Sequence, residues 1–130
     1  MTSKALASWH AMVKSRDPAA LDAVLADDVV FHSPVVHTPQ QGRAITRRYL
    51  AAALQVFIND SFRYRREFVS DTGAALEFTV EIDGLEVNGV DILTWNADGR
   101  ITEFKVMLRP LQAVRLIHAQ MGALLGQSRG

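Results

Sequence analysis

The chain has no cysteine, which removes disulfides, thiolate zinc sites, iron–sulfur clusters and a thiol nucleophile together. It has no long apolar run either. The longest, Tyr49 to Leu54, spans six residues, against the roughly 20 that a membrane-crossing helix needs. Net charge is also missing, because 14 Lys and Arg balance 14 Asp and Glu. Tyr64 is the only aromatic framed by arginines, at positions 63, 65 and 66, so neither a nucleic-acid nor a membrane partner is expected. Around Lys4, His10 and Lys14 there is no apolar block of a signal peptide, and a cytoplasmic location is expected. No linker, low-complexity stretch or repeat divides the chain, which reads as one domain over 1–130. With 48% apolar residues in 130, such a domain buries about two-thirds of its unfolded surface without metal or disulfide.

Periodicity sets the elements. Ser3 caps a helix with Leu6, Trp9, Met12 and Val13 at helical spacing, ending near Arg16. Asp17-Pro18 opens a short second helix carrying Leu21, Val24 and Leu25, and Val29 to Phe31 reads as a short strand stopping at Pro34. A Pro- and Gln-rich loop leads to Gly42 and a third helix to about Phe57, with Ile45, Tyr49, Leu50, Ala53 and Leu54 on one face. From Ser61 the period becomes two: Phe62, Tyr64, Arg66 and Phe68 alternate with Arg63, Arg65 and Glu67, then Leu76, Phe78, Val80 and Ile82 with Glu77, Thr79 and Glu81. Asp83-Gly84 turns into a strand over Val87 to Trp95. Asn96-Ala97-Asp98-Gly99 turns into its partner, Ile101 to Leu108, and Arg109-Pro110 opens a last helix with Leu111, Val114, Ile117, Met121 and Leu124 on one face. Helices followed by a meander of long strands predict an α+β domain, a curved antiparallel sheet packed against the helices.

This order, with Leu25-Ala26-Asp27-Asp28-Val29-Val30-Phe31-His32-Ser33-Pro34, Gly89-Val90-Asp91-Ile92-Leu93 and Asp98-Gly99-Arg100-Ile101, resembles the nuclear transport factor 2-like superfamily, in its SnoaL-like and ketosteroid isomerase-like branch. The resemblance covers about Ser3 to Ala123. It implies a cone-shaped sheet closed by helices, a small apolar molecule as ligand, a homodimer through the outer sheet face, and proton-transfer chemistry of isomerase, cyclase or dehydratase type. A non-catalytic ligand-binding or dimerisation module is the alternative. By the same resemblance Asp91 matches a protonated oxyanion donor, while Ser33 stands where ketosteroid isomerases have their base and Trp9 where they have a tyrosine. Val106 and Met107 stand near the acid of cyclases and epoxide hydrolases. Trp9, Ser33, Tyr49, Leu93, Val106 and Leu108 are the implied pocket lining.

Asp91 sits among apolar residues on both phases of its strand, where burial would raise its pKa. A pocket acid and a structurally satisfied aspartate are both open. His32, beside the matched base position, is the second catalytic candidate if the bend before Pro34 turns it inward; strict alternation would leave it on the outer face. His37 lies in a loop, and His10 and His118 occupy ordinary helical positions. Glu77 and Glu81 read as a solvated strand face. No metal-ligand spacing is present and no cofactor is expected. Gly126-Gln127-Ser128-Arg129-Gly130 fits the nucleophile-elbow formula, without the strand and helix that motif needs.

Overall fold

The computed structural model describes residues 3–127; residues 128–130 of the elbow-like pentapeptide lie outside them. Helix α1 covers Lys4–Ser15, capped by the Ser3 side chain, which accepts from the backbone N–H groups of Ala5 and Leu6. It buries Ala5, Leu6, Trp9, Met12 and Val13. Asp17 caps a 3₁₀ turn over Pro18–Ala20, followed by a single α-helical turn, α2, over Leu21–Val24. Strand β1 (Leu25–His32) begins at Leu25, four residues earlier than its β-branched run announces. Asp27 and Asp28 lie within it at an irregularity of the ladder, with their side chains exposed. The Pro- and Gln-rich loop contains a two-residue strand, β2 (Gln40–Gln41), too short to leave a periodic signal. Helix α3 spans Arg43–Phe57.

Strands β3 (Arg63–Val69), β4 (Gly73–Ile82), β5 (Leu85–Trp95) and β6 (Ile101–Arg109) form an antiparallel meander. The sheet order is β2-β1-β6-β5-β4-β3. One ladder departs from the antiparallel expectation: β1 runs parallel to β6, making the sheet mixed. Alternation of side chains marks a strand but is blind to its direction, which the crossover through α3 sets. The sheet curves around α1 and α3, and buried residues from both helices and from the concave face of the strands form the core.

Two irregularities shape the concave face. In β3 the register shifts between Tyr64 and Arg66, so Tyr64 pairs with Phe78 while Glu67 pairs with Leu76. This bulge reverses the phase of alternation. Beyond it Arg66 and Phe68 turn outward, Arg66 to Glu77 (2.6 Å), and Glu67 turns to the concave side, contrary to the simple period of two. In β5, Gly89 leaves room for the Phe78 ring, which stacks on Phe62 with centroids 5.3 Å apart. Helix α4 (Leu111–Gln127) buries Ala113, Ile117 and Met121 at steps of four. Leu111 is exposed, because small Ala113 lets the helix approach along that row instead. Among the described residues no helix is long and apolar enough to cross a membrane.

A Cβ at position 89 would stand 2.5 Å from Phe78 Cζ, 2.7 Å from Leu108 Cδ2 and 2.9 Å from the Met107 carbonyl oxygen. Gly89→Ala is therefore expected to cost about 1–3 kcal/mol, measured as a lower urea midpoint. An unchanged midpoint would show that Phe78 and the β6 backbone shift aside freely.

Candidate functional site

Three elements distant in sequence converge inside the cone. The helical stripe of α1 aims Trp9 inward, the first half of β3 aims Tyr64 inward, and the odd-numbered face of β5 carries Asp91. Trp9 Nε1–H donates to the Tyr64 hydroxyl at 2.9 Å. That hydroxyl donates to Asp91 Oδ2 at 2.8 Å. Indole can only donate, so the phenol oxygen accepts there and its single proton goes to the carboxyl. Asp91 Oδ2 is thus committed as an acceptor, and a proton on the carboxyl belongs on Oδ1.

Asp91 is 7% exposed and lines a small cavity of about 40 Å³ with Trp9, Leu54, Phe62, Tyr64 and Phe104 among its walls. Such a volume holds a few water-sized groups and no more. Burial drives the Asp91 pKa up from 3.8 to about 7, opposed by the Tyr64 hydrogen bond, which favours the ionised form. Burial and the neighbouring Asp91 push the Tyr64 phenol well above its ordinary value. Near neutrality the carboxyl therefore exists in both forms. Neutral, it can donate Oδ1–H to a ligand oxygen; ionised, it can take a proton.

A larger outer chamber of about 260 Å³ adjoins this cavity, and Ala53, Phe57 and Val106 line both. Its polar side chains are Ser33, Tyr49 and His118; Ile117, Met121 and Leu125 of α4 contribute apolar wall. Among the described residues no acid, lysine or arginine lines it.

The residues singled out in the sequence divide accordingly. Trp9 and Asp91 meet in the inner cavity, Val106 faces both spaces, and Ser33 and Tyr49 line the outer chamber. Leu93 is buried on the Asp91 face of β5 but lines neither space, and half-buried Leu108 borders a shallow groove on the outer sheet face. His32 stands apart from Asp91 and lines neither space. Its Nε2 is 3.0 Å from Glu103 Oε2, on the side of β1 opposite buried Phe31. The strand keeps its alternation through His32 and bends only afterwards. Met107 is exposed on the outer face. Sequence reading left Tyr64 out of the site, since its spacing marks a strand position while only the register and the fold of α1 onto β3 bring it to Asp91.

The chain matches a family model described as the SnoaL-like domain over residues 6–104. A steroid delta-isomerase from Pseudomonas aeruginosa is 32% identical, with 98% of this chain and 96% of that chain covered and a TM-score of 0.90. An uncharacterized protein conserved in bacteria with a cystatin-like fold, from Silicibacter pomeroyi DSS-3, is 34% identical over 92% of this chain and 83% of that one, with a TM-score of 0.84. An NTF2-like protein of unknown function from Mesorhizobium loti, at 22% identity, 82% and 88% coverage and a TM-score of 0.70, shares the fold. No curated protein matches the chain.

The Asp91 environment sets a pH dependence of stability. A folded pKa raised from 3.8 to about 7 means that the folded state holds a proton which the unfolded state releases. Stability is then greatest below pH 4 with respect to this group and falls as pH rises through about 7, by at most ~4 kcal/mol. Asp91→Asn should flatten that slope and match or exceed the parent protein at pH 8, measured by urea unfolding from pH 4 to 9. A carbon-13 titration placing the Asp91 pKa below about 4 would overturn this assignment.

Proposed function

The chain belongs to the SnoaL-like domain family of the nuclear transport factor 2-like superfamily, and from that premise we propose that its cone binds a small apolar molecule bearing a carbonyl group and catalyses a proton transfer on it. The observation that carries this reading is the Trp9–Tyr64–Asp91 hydrogen-bonded line at the end of an apolar cavity. The inner cavity admits only the carbonyl end, and the ligand body occupies the outer chamber. Neutral Asp91 donates Oδ1–H to the carbonyl oxygen and stabilises the negative charge that develops there when an adjacent C–H bond loses its proton. The proton passes to a base on the outer side, where His118 lines the wall and histidine is the side chain suited to exchange a proton near neutrality. Reprotonation at carbon completes an isomerisation or tautomerisation.

A specific observation favours a second reading, ligand binding without catalysis: besides Asp91 and Tyr64, no acid or base among the described residues lines the inner cavity. Exchange of the acidic protons of 2-tetralone in D₂O, followed by proton NMR, separates the two. Catalysis predicts saturable exchange that falls about 10²-fold or more in Asp91→Asn, while 2-naphthol, a flat enol mimic, still binds that variant. Binding of 2-naphthol with exchange no faster than in buffer would leave the binding module. Because Ser33 cannot serve as a carboxylate base, migration of a steroid double bond is expected to run about 10²- to 10⁴-fold below the rate of a dedicated isomerase. A rate within tenfold of one would refute the mechanism.

We also infer a homodimer through the outer sheet face, as the family resemblance implies. Phe68 is 64% and Met107 47% exposed there, flanking half-buried Val90, Ile92 and Thr94 on the same face of β5, with Arg63 and Arg65 at the rim. Sedimentation at micromolar concentration should give twice 14.4 kDa, and Met107→Glu should shift the protein toward monomer. A monomeric parent protein would end this inference.

A further inference from the structure

Tyr64 is approached from a second side by a pair of residues that the proposed reaction does not use. His10 follows Trp9 on α1, and its ring meets the Tyr64 ring almost at right angles, with centroids 5.3 Å apart. His10 Nε2 is paired with the Glu67 carboxylate. Glu67 reaches the concave side only because of the β3 bulge. It stands opposite Leu76, which stands opposite Asp91, so the two acids share one row across three strands, about 10 Å apart at the backbone. Glu67 is also among the charges that make the Tyr64 phenol harder to ionise. At about 10 Å, an uncompensated carboxylate opposes a second negative charge by roughly two- to fifteenfold in an equilibrium constant, across effective dielectrics from bulk water to the protein surface. The other charged groups of these elements are turned away: Lys4 and Lys14 are exposed on α1, Arg66 faces Glu77 outside, Arg63 and Arg65 are exposed, and Glu86 is exposed on β5.

We propose that His10 is a positioning residue for the Tyr64–Asp91 pair: it seats the phenol against its ring and holds the Glu67 carboxylate through Nε2, its protonated form pairing that charge so that Glu67 does not oppose negative charge on Asp91 or on a ligand oxygen beside it. The proposal rests on the reading of Tyr64 and Asp91 as the polar end of the ligand site. In either protonation state the imidazole can donate Nε2–H to Glu67, and the protonated form also cancels its charge. His10 thus acts through Tyr64.

The test is a double-variant cycle with two readouts, the ionisation of Asp91 by carbon-13 NMR and the affinity for 2-naphthol. His10→Phe keeps a ring against Tyr64 but frees Glu67. It should weaken the Asp91 ionisation constant roughly two- to fifteenfold and 2-naphthol binding by a similar factor. Glu67→Gln alone should leave both at or above the parent values, because no carboxylate then opposes ionisation and a proton on His10 favours it, and His10→Phe with Glu67→Gln should restore them. A purely structural role predicts a double variant no better than His10→Phe, and that outcome, or an Asp91 titration untouched by His10→Phe, overturns the proposal. Should 2-naphthol fail to bind the parent protein, the functional reading falls while the Asp91 titration still decides the role of His10.

Discussion

A carboxyl group buried among aromatic rings persists only with a partner, and that constraint organises the interior of this molecule. Asp91 has one, the Tyr64 hydroxyl, which is itself oriented by the Trp9 indole. Indole donates to the phenol and the phenol passes its one proton to the acid, so the line ends on one oxygen of Asp91. The other oxygen is left for chemistry. Each link joins elements far apart in the chain, 55 residues between Trp9 and Tyr64 and 27 between Tyr64 and Asp91, so the site exists only when α1, β3 and β5 are docked.

The departures from regular structure lie where they serve this arrangement. The β3 bulge keeps Tyr64 inward while turning Arg66 and Phe68 to the outer face and Glu67 toward His10. Gly89 lets the Phe78 ring settle against β5, where it packs on Phe62 and Tyr64 and keeps the acid's surroundings apolar. Farther out, α4 closes one side of the outer chamber with Ile117, Met121 and Leu125. Apart from Val106, the inner cavity is thus built by residues matching the family model, and much of the outer wall by a helix beyond residues 6–104.

Much of the fold was legible because local signals agreed. Ser3 before the stripe of Leu6, Trp9, Met12 and Val13, Gly42 before α3, and the turns at Asp83-Gly84 and Asp98-Gly99 each combine a cap or turn residue with a clear period. β1 was read too short, because Asp27 and Asp28 have low strand propensity and sit in the sheet only as exposed positions at a ladder irregularity. β2 is two residues long and held by pairing with β1, a contact with no local trace.

The sequence by itself determined the class of fold and the inward phase of α1, and hence that Trp9 points to the interior, while β5, apolar in both phases, left the direction of Asp91 to the family resemblance. It did so because helical and strand periods are local properties of the chain. Only the tertiary structure decided the parallel β1–β6 ladder, the reversal of phase within β3, the placement of His32 with Glu103 outside the cone, and the meeting of Tyr64 with Asp91. Those depend on register between strands, and a shift of one residue in register exchanges the two faces of a strand without changing a letter of its sequence.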